Sequence, residues 1–575
     1  MDWLCVPRFD SPAVFAALLG GNEHGRWLIG PADGGRAVRR CYREGTLVLE
    51  TEFETADGAV RITDCMPIRG HTVDIVRIVE GLSGRVKMRT ELVVAFDYGS
   101  VAPWIRSIDG GLIAIAGPDA LVLQSPVELS GDVRPGAEFE VSAGQHIAFR
   151  LAWYPSYQKA PAPADCARVV ATTTAWWMEW SSRSTYAGEW KDQVQRSLIT
   201  LKALTYAPTG GIVAAPTTSL PEWPGSVRNW DYRFCWVRDA SLSLLALMGA
   251  GYVHEAAAWR DWVLRAVAGE PAKLQIMYGL GGERRLTEWE ADWLPGYEDS
   301  RPVHIGNAAS EQFQLDVFGE LIDTLHLAVR MGVPAAGPDH PLQGFSLALM
   351  EFLEGAWSQP DDGIWEVRGP RQHFTHSKVM AWVAFDRAVQ FIEQAGTDGP
   401  VDRFRVVRDE IHADVCAKAW NPSKQAFTQA YGSDQLDAAV LMIPSVGFLP
   451  GTDPRVQSTV AAVQRELTND GFVARYTTET VSDGLPPGEG AFLPCSFWLA
   501  DNLALMGRYD EAAALFERLL GLANDVGLLA EEYDPVSRRQ LGNFPQAFTH
   551  LALVGTALNL TGAHNAPAAL RARPS

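Results

Sequence analysis

The sequence has few basic residues, no long apolar run and no closely spaced cysteine pair. Lysine and arginine together number 49 against 69 acidic residues, and the formal net charge is −20 at pH 7. Because such a chain repels phosphate backbones, we expect no nucleic-acid partner. The longest apolar stretches, 242–251 and 512–523, fall well short of the roughly 20 residues that cross a bilayer. The N-terminus has no basic region followed by an apolar one, so we expect a cytoplasmic protein without a membrane partner.

The cysteines are too dispersed to indicate a disulfide framework or a zinc site. Their number is odd, and they form no Cys-x-x-Cys pair. We therefore predict seven buried free thiols: Cys5, Cys41, Cys65, Cys166, Cys235, Cys416 and Cys495. The sequence also has no Gly-x-Ser-x-Gly motif that would mark a nucleophilic serine, and no cofactor-binding motif. We expect neither a metal ion nor a cofactor.

Length and composition indicate a globular chain of two domains. The sequence has 575 residues, of which 47% are hydrophobic and 21% charged, and a single core rarely grows to that size. From about Trp27 to Tyr154 polar and apolar residues alternate, with many Val, Ile and Thr and with Asp-Gly and Ser-Gly turns. This pattern predicts an antiparallel β-sandwich in residues 1–160. Residues 161–188, which contain three tryptophans, are predicted to form a connecting helix.

The following region, 189–562, has the period of α-helices. Twelve segments carry an apolar stripe at helical spacing: 189–207, 238–250, 253–268, 307–331, 341–357, 375–395, 400–419, 435–442, 454–467, 492–507, 509–524 and 544–561. Long loops rich in aromatic and charged residues follow the odd-numbered segments, and short loops follow most even-numbered ones. A ring of antiparallel helix pairs places all long loops at one end, which predicts an all-α (α/α)6 barrel. An α-solenoid is the alternative, but no repeat signature supports it. Residues 563–575 are predicted to be a tail.

The densest run of aromatic and charged residues, 228–239, directly precedes a predicted helix. Stacking aromatics mixed with Arg and Asp suit the apolar faces and hydroxyl rim of a sugar better than a metal or a phosphate. Arg238 and Asp239 are predicted to clamp sugar hydroxyls. In the simpler interpretation, Asp239 caps the helix and Arg238 pairs with it. Three neighbouring side chains favour the sugar site: Trp230, Tyr232 and Trp236.

A loop in 361–369 offers a candidate proton donor. Glu366 directly follows Trp365 there, and an indole beside a carboxyl group disfavours the charged form of that carboxyl. Glu366 is therefore a candidate general acid. The neighbouring Asp361 and Asp362, and likewise the later pair Glu531 and Glu532, could instead bind Ca²⁺, but neither pair has the spacing of a calcium-binding loop.

A second acidic cluster lies in 530–535, about 165 positions further along the chain. We expect its carboxylates to lie nearer to solvent, so that at least one stays ionised and activates water. Glu531 and Glu532 are both candidates at this point. A glycosidase needs this combination, with one protonated and one ionised carboxyl group across the scissile bond.

Several motifs in chain order belong to one family pattern: Asn229-Trp-Asp-Tyr-Arg, Trp236-Val-Arg-Asp, Gly306-Asn-Ala-Ala, Gly363-Ile-Trp-Glu, Tyr431-Gly-Ser-Asp, Asp483-Gly-Leu-Pro and Glu531-Glu-Tyr-Asp. The chain resembles glycoside hydrolase family 15, the glucoamylase-like family, over nearly its whole length. It is most similar to the bacterial branch that contains trehalases and small-oligosaccharide glucohydrolases. The resemblance implies a β-sandwich followed by an (α/α)6 barrel.

The resemblance also implies an activity and assigns residues to it. The activity is inverting, exo-acting hydrolysis of a small α-glucoside with release of β-glucose, with Glu366 as general acid and Glu531 as general base. Inversion requires the two carboxyl groups to lie ~6.5–9.5 Å apart, with water between them. The residues implied to bind or surround the sugar are Arg238, Asp239, Trp230, Trp365, Tyr431 and Arg475.

One departure from the family pattern bears on the substrate. Val367 follows the acid, where fungal glucoamylases carry a second acidic residue that binds the next sugar, so a starch-like substrate is not expected. Trehalose is favoured, and isomaltose or another short α-gluco-oligosaccharide is the alternative. Four residues are predicted either to line the leaving-group site or to pack within loops: Trp289, Glu290, Tyr297 and Glu489.

Two other functional classes share the predicted architecture. Inverting disaccharide phosphorylases keep the acid and place a phosphate site where the base would be, and a non-catalytic sugar-binding protein needs neither carboxylate. The presence of Glu531 in its motif favours hydrolysis over both. The sequence makes no prediction of the oligomeric state.

Overall fold

The computed structural model describes residues 1–70, 72–131, 133–333, 342–395, 399–478, 483–563 and 566–571. The chain divides into two units. The first unit comprises Met1–Arg183, Ala291–Val303 and Asn524–Gly527. The second unit comprises Ser184–Glu290, His304–Ala523 and Leu528–Ser575. We call them the β unit and the helical unit.

The alternating N-terminal region forms antiparallel strands, as predicted. They are β1 (Leu4–Cys5), β2 (Ala13–Phe15), β3 (Arg26–Pro31), β4 (Arg36–Tyr42), β5 (Leu49–Thr55), β6 (Gly58–Cys65), β7 (Val73–Val93), β8 (Trp104–Ile108), β9 (Gly111–Ala116), β10 (Asp119–Gln124), β11 (Gly136–Ser142) and β12 (His146–Pro155). The main sheet has the order β4-β5-β6-β7-β12-β10-β9-β8, and β3 and β11 pair with the long β7. The predicted antiparallel β-sandwich is confirmed.

Strand β7 is shared between the two layers of the sandwich. Its first half pairs with β12, with Ile75 opposite Leu151, and its second half pairs with β11, with Met88 opposite Phe139. These four side chains are buried in one core cluster. One face of each layer therefore points inward, which is what period-two alternation dictates.

A helix follows the strands where the connecting helix was predicted. Helix α1 (Cys166–Ser181) begins at Asp165, whose Oδ1 accepts a hydrogen bond from the backbone N of Arg168 at 3.1 Å. Of its three tryptophans, Trp177 and Trp180 are buried. Aromatic burial thus orders a segment that composition alone would leave as a polar linker.

The helical unit contains thirteen α-helices in the part of the chain that the structure describes. They are α2 (Lys191–Ala203), α3 (Val237–Gly249), α4 (Val253–Ala266), α5 (Asp316–Arg330), α6 (Leu342–Ala356), α7 (Thr375–Ala395), α8 (Val401–Lys418), α9 (Met442–Ser445), α10 (Pro454–Glu466), α11 (Leu493–Leu505), α12 (Tyr509–Leu520), α13 (Ala547–Leu560) and α14 (Pro567–Arg571). Helices α2 to α13 correspond one to one with the twelve predicted segments. None of the described helices has the length and apolar character required to cross a bilayer.

Burial alternates along these helices. Helices α3, α5, α7, α11 and α13 are buried on nearly all sides, whereas α8, α10 and α12 bury one face. A helix buried all round lies inside a protein, and an amphipathic one lies at its surface. The alternation gives an inner and an outer ring, and the predicted (α/α)6 barrel is confirmed. All seven cysteines are free thiols, as predicted, but only Cys65, Cys235 and Cys495 are buried, and the other four are partly exposed.

Two predicted helices differ from the structure more than the others. The segment predicted as 307–331 begins with a short 3-10 turn, Ala308–Glu311, capped by Asn307, and α5 starts only at Asp316. The segment predicted as 435–442 is a 3-10 turn, Ala438–Leu441, followed by the single-turn α9. Both 3-10 turns contain buried alanine next to an α-helix, so the apolar pattern of the sequence does not separate them from the helix.

The region predicted to be a tail, 563–575, includes a short helix. Residues 564–565 and 572–575 lie outside the described part. Within it, α14 ends at Arg571, which is buried and donates from Nε to Asp323 Oδ2 at 2.8 Å. Arg387 donates from Nε to the other oxygen of Asp323 at 2.7 Å. The C-terminus therefore supplies one of two cations that surround a fully buried carboxylate.

Removing this cation is expected to destabilise the fold. Arg571→Met should lower the free energy of unfolding by roughly 3 kcal/mol, because a buried ion pair that loses one partner leaves an uncompensated charge. Urea denaturation measures the change. As a matched control, Arg405→Met removes an exposed ion pair with Glu393 and should cost about 1 kcal/mol or less. A loss no larger than that of the control would contradict this account of the C-terminus.

Candidate active site

Two adjoining cavities lie at the N-terminal ends of the inner helices. The smaller, of about 270 Å³, is lined by residues that include both candidate catalytic groups, Glu366 and Glu531. We call it the inner cavity. The larger, of about 660 Å³, is lined by Glu366 but not by Glu531, and we call it the outer cavity. The residues common to both are Tyr232, Arg238, Glu366, Phe492 and Phe548.

Glu366 lies where both cavities meet, in a strained loop. Its backbone is left-handed, with φ of 58°, which is uncommon for a residue with a side chain and is typical of functional sites. Its Oε1 accepts a hydrogen bond from Trp236 Nε1 at 2.7 Å and lies 3.6 Å from Arg238 Nη2. Burial raises the pKa of Glu366, and Arg238 and the hydrogen bond from Trp236 oppose that rise. The net shift favours a carboxyl group that carries a proton.

The indole that contacts this carboxyl group is not the one that the sequence suggested. Trp365 Nε1 donates to Asp437 Oδ1 at 2.8 Å, and the Trp365 ring packs edge-on against Phe492 with centroids 5.5 Å apart. Trp236, which precedes helix α3, takes the expected position. Trp365 remains a wall of the outer cavity.

Glu531 is deeply buried, so the expectation that its loop lies nearer to solvent was wrong. Only 1% of the residue is exposed, because the segment that follows it, Glu532–Asp534, is the central strand of a three-stranded sheet. Its Oε1 accepts from the Tyr232 hydroxyl at 2.6 Å, and its Oε2 accepts from the backbone N of Asn543 at 3.2 Å. A sequence pattern of four polar residues did not reveal this strand.

The electrostatic surroundings of Glu531 determine when it can act as a base. Burial, followed by the negative charge of Glu222, raises the pKa of Glu531 to about 8, and the hydrogen bond from Tyr232 and the charge of Arg475 oppose the rise. Because hydrogen bonds to a carboxylate favour its ionised form, Tyr232 is the neighbour that most directly keeps Glu531 ionised, which is the form that can accept a proton from water.

This arrangement predicts a specific response to pH. Glu531 must lose its proton to act as a base, so kcat/KM should rise with pH below the pKa of about 8 for Glu531, until loss of the proton from Glu366 ends the rise. Glu222→Gln removes a negative charge and therefore lowers the pKa of Glu531, and the rising limb of the profile should move to lower pH. Initial rates measured from pH 4 to pH 9 test the shift. An unmoved limb, or one moved to higher pH, would contradict the assignment of that limb to Glu531.

Polar side chains of α13 hold the loop before Glu531. Thr549 Oγ1 donates to the carbonyl of Ala530 at 2.8 Å, and the backbone N of Leu529 donates to His550 Nε2 at 3.2 Å. Since Nε2 accepts, the proton of the neutral ring lies on Nδ1, which is 2.9 Å from Ser197 Oγ. Burial lowers the pKa of His550 to about 3, so the ring stays neutral.

Glycine is required next to the candidate base. Gly542 has φ of +76°, and a Cβ placed on it would lie 2.4 Å from Glu531 Oε2. A side chain at this position would therefore be strained and would also displace the carboxylate. This close approach explains the glycine before Asn543, whose backbone N hydrogen-bonds Glu531.

Glu532, the second member of the acidic pair, has a different environment. It does not line the inner cavity. Its Oε2 accepts from the backbone N of Gly490 at 2.8 Å, and its Oε1 lies 3.4 Å from Arg475 Nη2. The same Nη2 lies 3.0 Å from Glu222 and 2.7 Å from Glu489. The two adjacent glutamates, which the sequence alone could not distinguish, therefore have different surroundings: Glu531 lines the inner cavity, and Glu532 contacts Arg475.

The three carboxylates around Arg475 form a tight acidic cluster. Oxygen atoms of Glu222, Glu489 and Glu532 lie within 4.8 Å of one another, and Arg475 provides positive charge among them. Arg228, 1% exposed at its side chain, lies beside the cluster and pairs with Glu489 at 3.2 Å. Glu489, predicted as a leaving-group residue or as loop packing, is thus buried in ion pairs.

Arg238 and Asp239 combine features of both interpretations made from the sequence. Arg238 Nε lies 3.2 Å from Asp239 Oδ2, and Nη1 donates to the carbonyl of Ile364 at 3.0 Å. Both residues line the inner cavity. The N-cap residue of α3 is Trp236, without a side-chain cap, so Asp239 is an ion-pair partner rather than a cap. The pair offers one donor group and one acceptor group to a ligand.

The structure brings together most of the predicted site residues. Trp230, Trp365 and Arg475 line the outer cavity. Tyr431 lines neither cavity and instead stacks on His373 with centroids 5.8 Å apart. Trp289 and Glu290, in the described segment before residue 291, line neither cavity, and Tyr297 belongs to the β unit.

Several lining residues were not predicted. Phe492 and Phe548 each precede or open an inner helix, and a phenylalanine there looks like ordinary core. Glu222 lies in a loop without any recognisable chemical motif. Phe492 and Phe548 lie at helix starts, at the same end of the barrel as the loop 228–239. That position was the one signal that could have indicated these two residues.

Comparisons with known proteins agree with this geometry. A family model described as "Glycosyl hydrolases family 15" matches residues 188–558, and one described as "Trehalase-like, N-terminal" matches residues 1–144. The chain is 39% identical to a protein named trehalase from Mycolicibacterium smegmatis, over 97% of this chain and 88% of the relative. It is 35% identical to a trehalase from Thermoplasma acidophilum, over 97% of this chain and 96% of the relative.

A solved structure supports the architecture. A bacterial glucoamylase complexed with acarbose matches 99% of this chain and 92% of its own, with a TM-score of 0.75 at 13% identity. Identity this low supports the fold alone. The family match covers more than half of the chain, and the two trehalases align with nearly all of it. The chain therefore belongs to glycosyl hydrolase family 15 and is a glycoside hydrolase.

Proposed function

We propose that the protein hydrolyses trehalose, acting from the non-reducing end with inversion at the attacked carbon. The observation that carries the proposal is that Glu366 and Glu531, on loops about 165 positions apart, line one small cavity. The names of the two relatives support trehalose as the substrate. In this proposal the catalytic domain spans 189–562.

The two carboxyl groups have complementary tasks in a single displacement. Glu366 donates its proton to the glycosidic oxygen, which leaves as a hydroxyl group of the second glucose. Glu531 takes a proton from a water molecule whose oxygen attacks the anomeric carbon from the opposite side. The reaction leaves Glu366 ionised and Glu531 protonated, and proton exchange with solvent restores both groups. Because water attacks the anomeric carbon directly, no covalent intermediate forms.

The lining of the inner cavity suits a single hexose, because charged side chains and aromatic rings surround one small space. In this proposal Arg238 and Asp239 clamp the hydroxyl groups of that hexose, and Phe492 and Phe548 contact its apolar faces. Arg475, Trp230 and Trp365 contact the sugar from the outer cavity. Tyr431, which lines neither cavity, is proposed to pack on His373 rather than to contact the sugar.

A panel of α-linked disaccharides tests the substrate. Trehalose, isomaltose, maltose and kojibiose are supplied at equal concentration, with and without phosphate, and free glucose and glucose 1-phosphate are measured. We expect trehalose to have the highest kcat/KM, with two glucose molecules released per cleavage and no phosphate requirement in the stoichiometry. Glucose 1-phosphate as a product would overturn hydrolysis in favour of a phosphorylase. The absence of any product would favour a sugar-binding protein.

A further inference from the structure

Arg368 differs from the other arginines that line the cavities. Arg228, Arg238 and Arg475 have side chains that are at most 10% exposed, whereas the side chain of Arg368 is 36% exposed. No role for Arg368 was predicted from the sequence. Arg368 lines the outer cavity and is not part of the inner one.

A cation–π contact holds the Arg368 guanidinium. Its central carbon lies over the Trp230 ring, 4.8 Å from the ring centroid, and the same indole stacks on His304, with centroids 5.5 Å apart and an interplanar angle of 20°. Trp230 is itself held by a hydrogen bond from its Nε1 to Glu222 Oε1 at 3.2 Å. A cation placed over an indole is attracted by the ring and loses less freedom when a ligand binds.

An ion pair with Glu288 also holds the guanidinium. Arg368 Nη2 lies 3.2 Å from Glu288 Oε2, and the same oxygen accepts from the backbone N of Ala308 at 3.1 Å. The backbone N of Arg368 donates to the carbonyl of Asp483 at 2.9 Å. Among the described residues, Glu288 is the carboxylate partner of Arg368, and it occupies Nη2. The Nε and Nη1 donors have no described protein acceptor.

The position of Arg368 relative to the acid indicates which sugar it meets. It lies two residues after Glu366, which donates to the leaving oxygen in the proposed function, and it is not on the cavity that also contains Glu531. The side chain of the residue between them, Val367, is packed in an apolar cluster with Phe374 and Ala430 and has no polar group. Arg368 is therefore the first polar side chain after the acid on the leaving-group side.

We propose that Arg368 determines specificity for the leaving sugar, by donating from the guanidinium held over Trp230 to the hydroxyl groups of the second glucose. The proposal rests on the proposed function. A guanidinium presents several N–H donors in a fixed fork, which suits adjacent hydroxyl groups and gives nothing to a leaving group that lacks them. The contribution of Arg368 should therefore appear with a disaccharide and vanish with a leaving group that is not a sugar.

The comparison of two substrates tests this directly. Arg368→Met is assayed on trehalose and on α-glucosyl fluoride, which carries the same glucose but no leaving sugar. We expect kcat/KM on trehalose to fall roughly 10- to 100-fold, the usual effect of losing a hydrogen bond to a charged group. On α-glucosyl fluoride it should change less than about twofold. Arg368→Lys keeps the charge but not the forked N–H donors of the guanidinium. Its kcat/KM should fall by an intermediate factor on trehalose and stay unchanged on α-glucosyl fluoride.

A matched control and a rescue experiment exclude a general structural effect. Arg371 is exposed, pairs with Asp362 and lines neither cavity, so Arg371→Met should leave the ratio of the two rates unchanged. In Arg368→Ala, added guanidinium ion should restore part of the activity on trehalose without changing that on α-glucosyl fluoride.

The results distinguish a failure of the specificity role from a failure of the proposed function. If Arg368→Met lowers kcat/KM equally on both substrates, or leaves kcat/KM on trehalose unchanged, the specificity role is wrong. If the wild-type protein cleaves α-glucosyl fluoride but no α-linked disaccharide, both the proposed function and this inference are wrong, and the wild-type assay alone reveals it.

Discussion

Glu366→Gln should lower kcat on trehalose by roughly 10²- to 10⁴-fold, the usual contribution of a general acid. The amide has the shape of the carboxyl group and can still accept the hydrogen bond from Trp236, but it has no proton to transfer to the glycosidic oxygen. α-Glucosyl fluoride should behave differently, because fluoride leaves with little help from an acid. We therefore expect the variant to hydrolyse α-glucosyl fluoride within about tenfold of the wild-type rate. Initial rates of glucose release measure both.

A surface glutamate provides the control for this substitution. Glu351 is exposed in helix α6, and Glu351→Gln should leave both rates unchanged. If Glu366→Gln loses activity equally on both substrates, the residue orients the sugar rather than protonating the leaving group. If it keeps full activity on trehalose, the acid is another residue.

Glu531→Ala should lower kcat for hydrolysis roughly 10²- to 10⁴-fold on trehalose and on α-glucosyl fluoride alike, because water must be activated for either substrate. The equal loss is the signature that distinguishes a base from an acid. The substitution also leaves space beside the Tyr232 hydroxyl, and a small anion such as azide needs no base to attack the anomeric carbon. With azide present, the variant should convert α-glucosyl fluoride to β-glucosyl azide, detected by NMR.

The neighbouring glutamate is the matched control for the base. Glu532 contacts Arg475 and does not line the inner cavity, so Glu532→Ala should give no glucosyl azide, whatever its effect on stability. A glucosyl azide formed by the Glu532 variant and not by the Glu531 variant would exchange their assignments. An α-configured azide would contradict inversion.

Much of the architecture followed from the periodicity of the sequence. Twelve apolar stripes predicted helices α2 to α13, and the alternation of loop lengths predicted which end of the barrel carries the site. Both signals are local, because an apolar stripe and a loop length are properties of consecutive residues. Burial of the C-terminal Arg571 against Asp323 was not predictable, since the two residues are 248 positions apart and neither belongs to a motif.

The site was predictable to the extent that its chemistry is concentrated in short segments. The run 228–239 contains Trp230, Tyr232, Trp236, Arg238 and Asp239, and all five line a cavity. The prediction was weaker wherever burial decides the chemistry. The sequence suggested an acidic loop near solvent at Glu531, whereas pairing of the next three residues into a sheet removes it from water and raises its pKa.

Stereochemistry tests the central claim, that Glu366 and Glu531 act as acid and base in a single displacement. Trehalose consists of two α-linked glucose units, so inversion converts the attacked unit to β-glucose while the leaving unit keeps its α configuration. Proton NMR within the first minutes of reaction, before mutarotation, should therefore detect α- and β-glucose in equal amounts. Initial release of α-glucose alone would mean a retaining mechanism and would contradict the account.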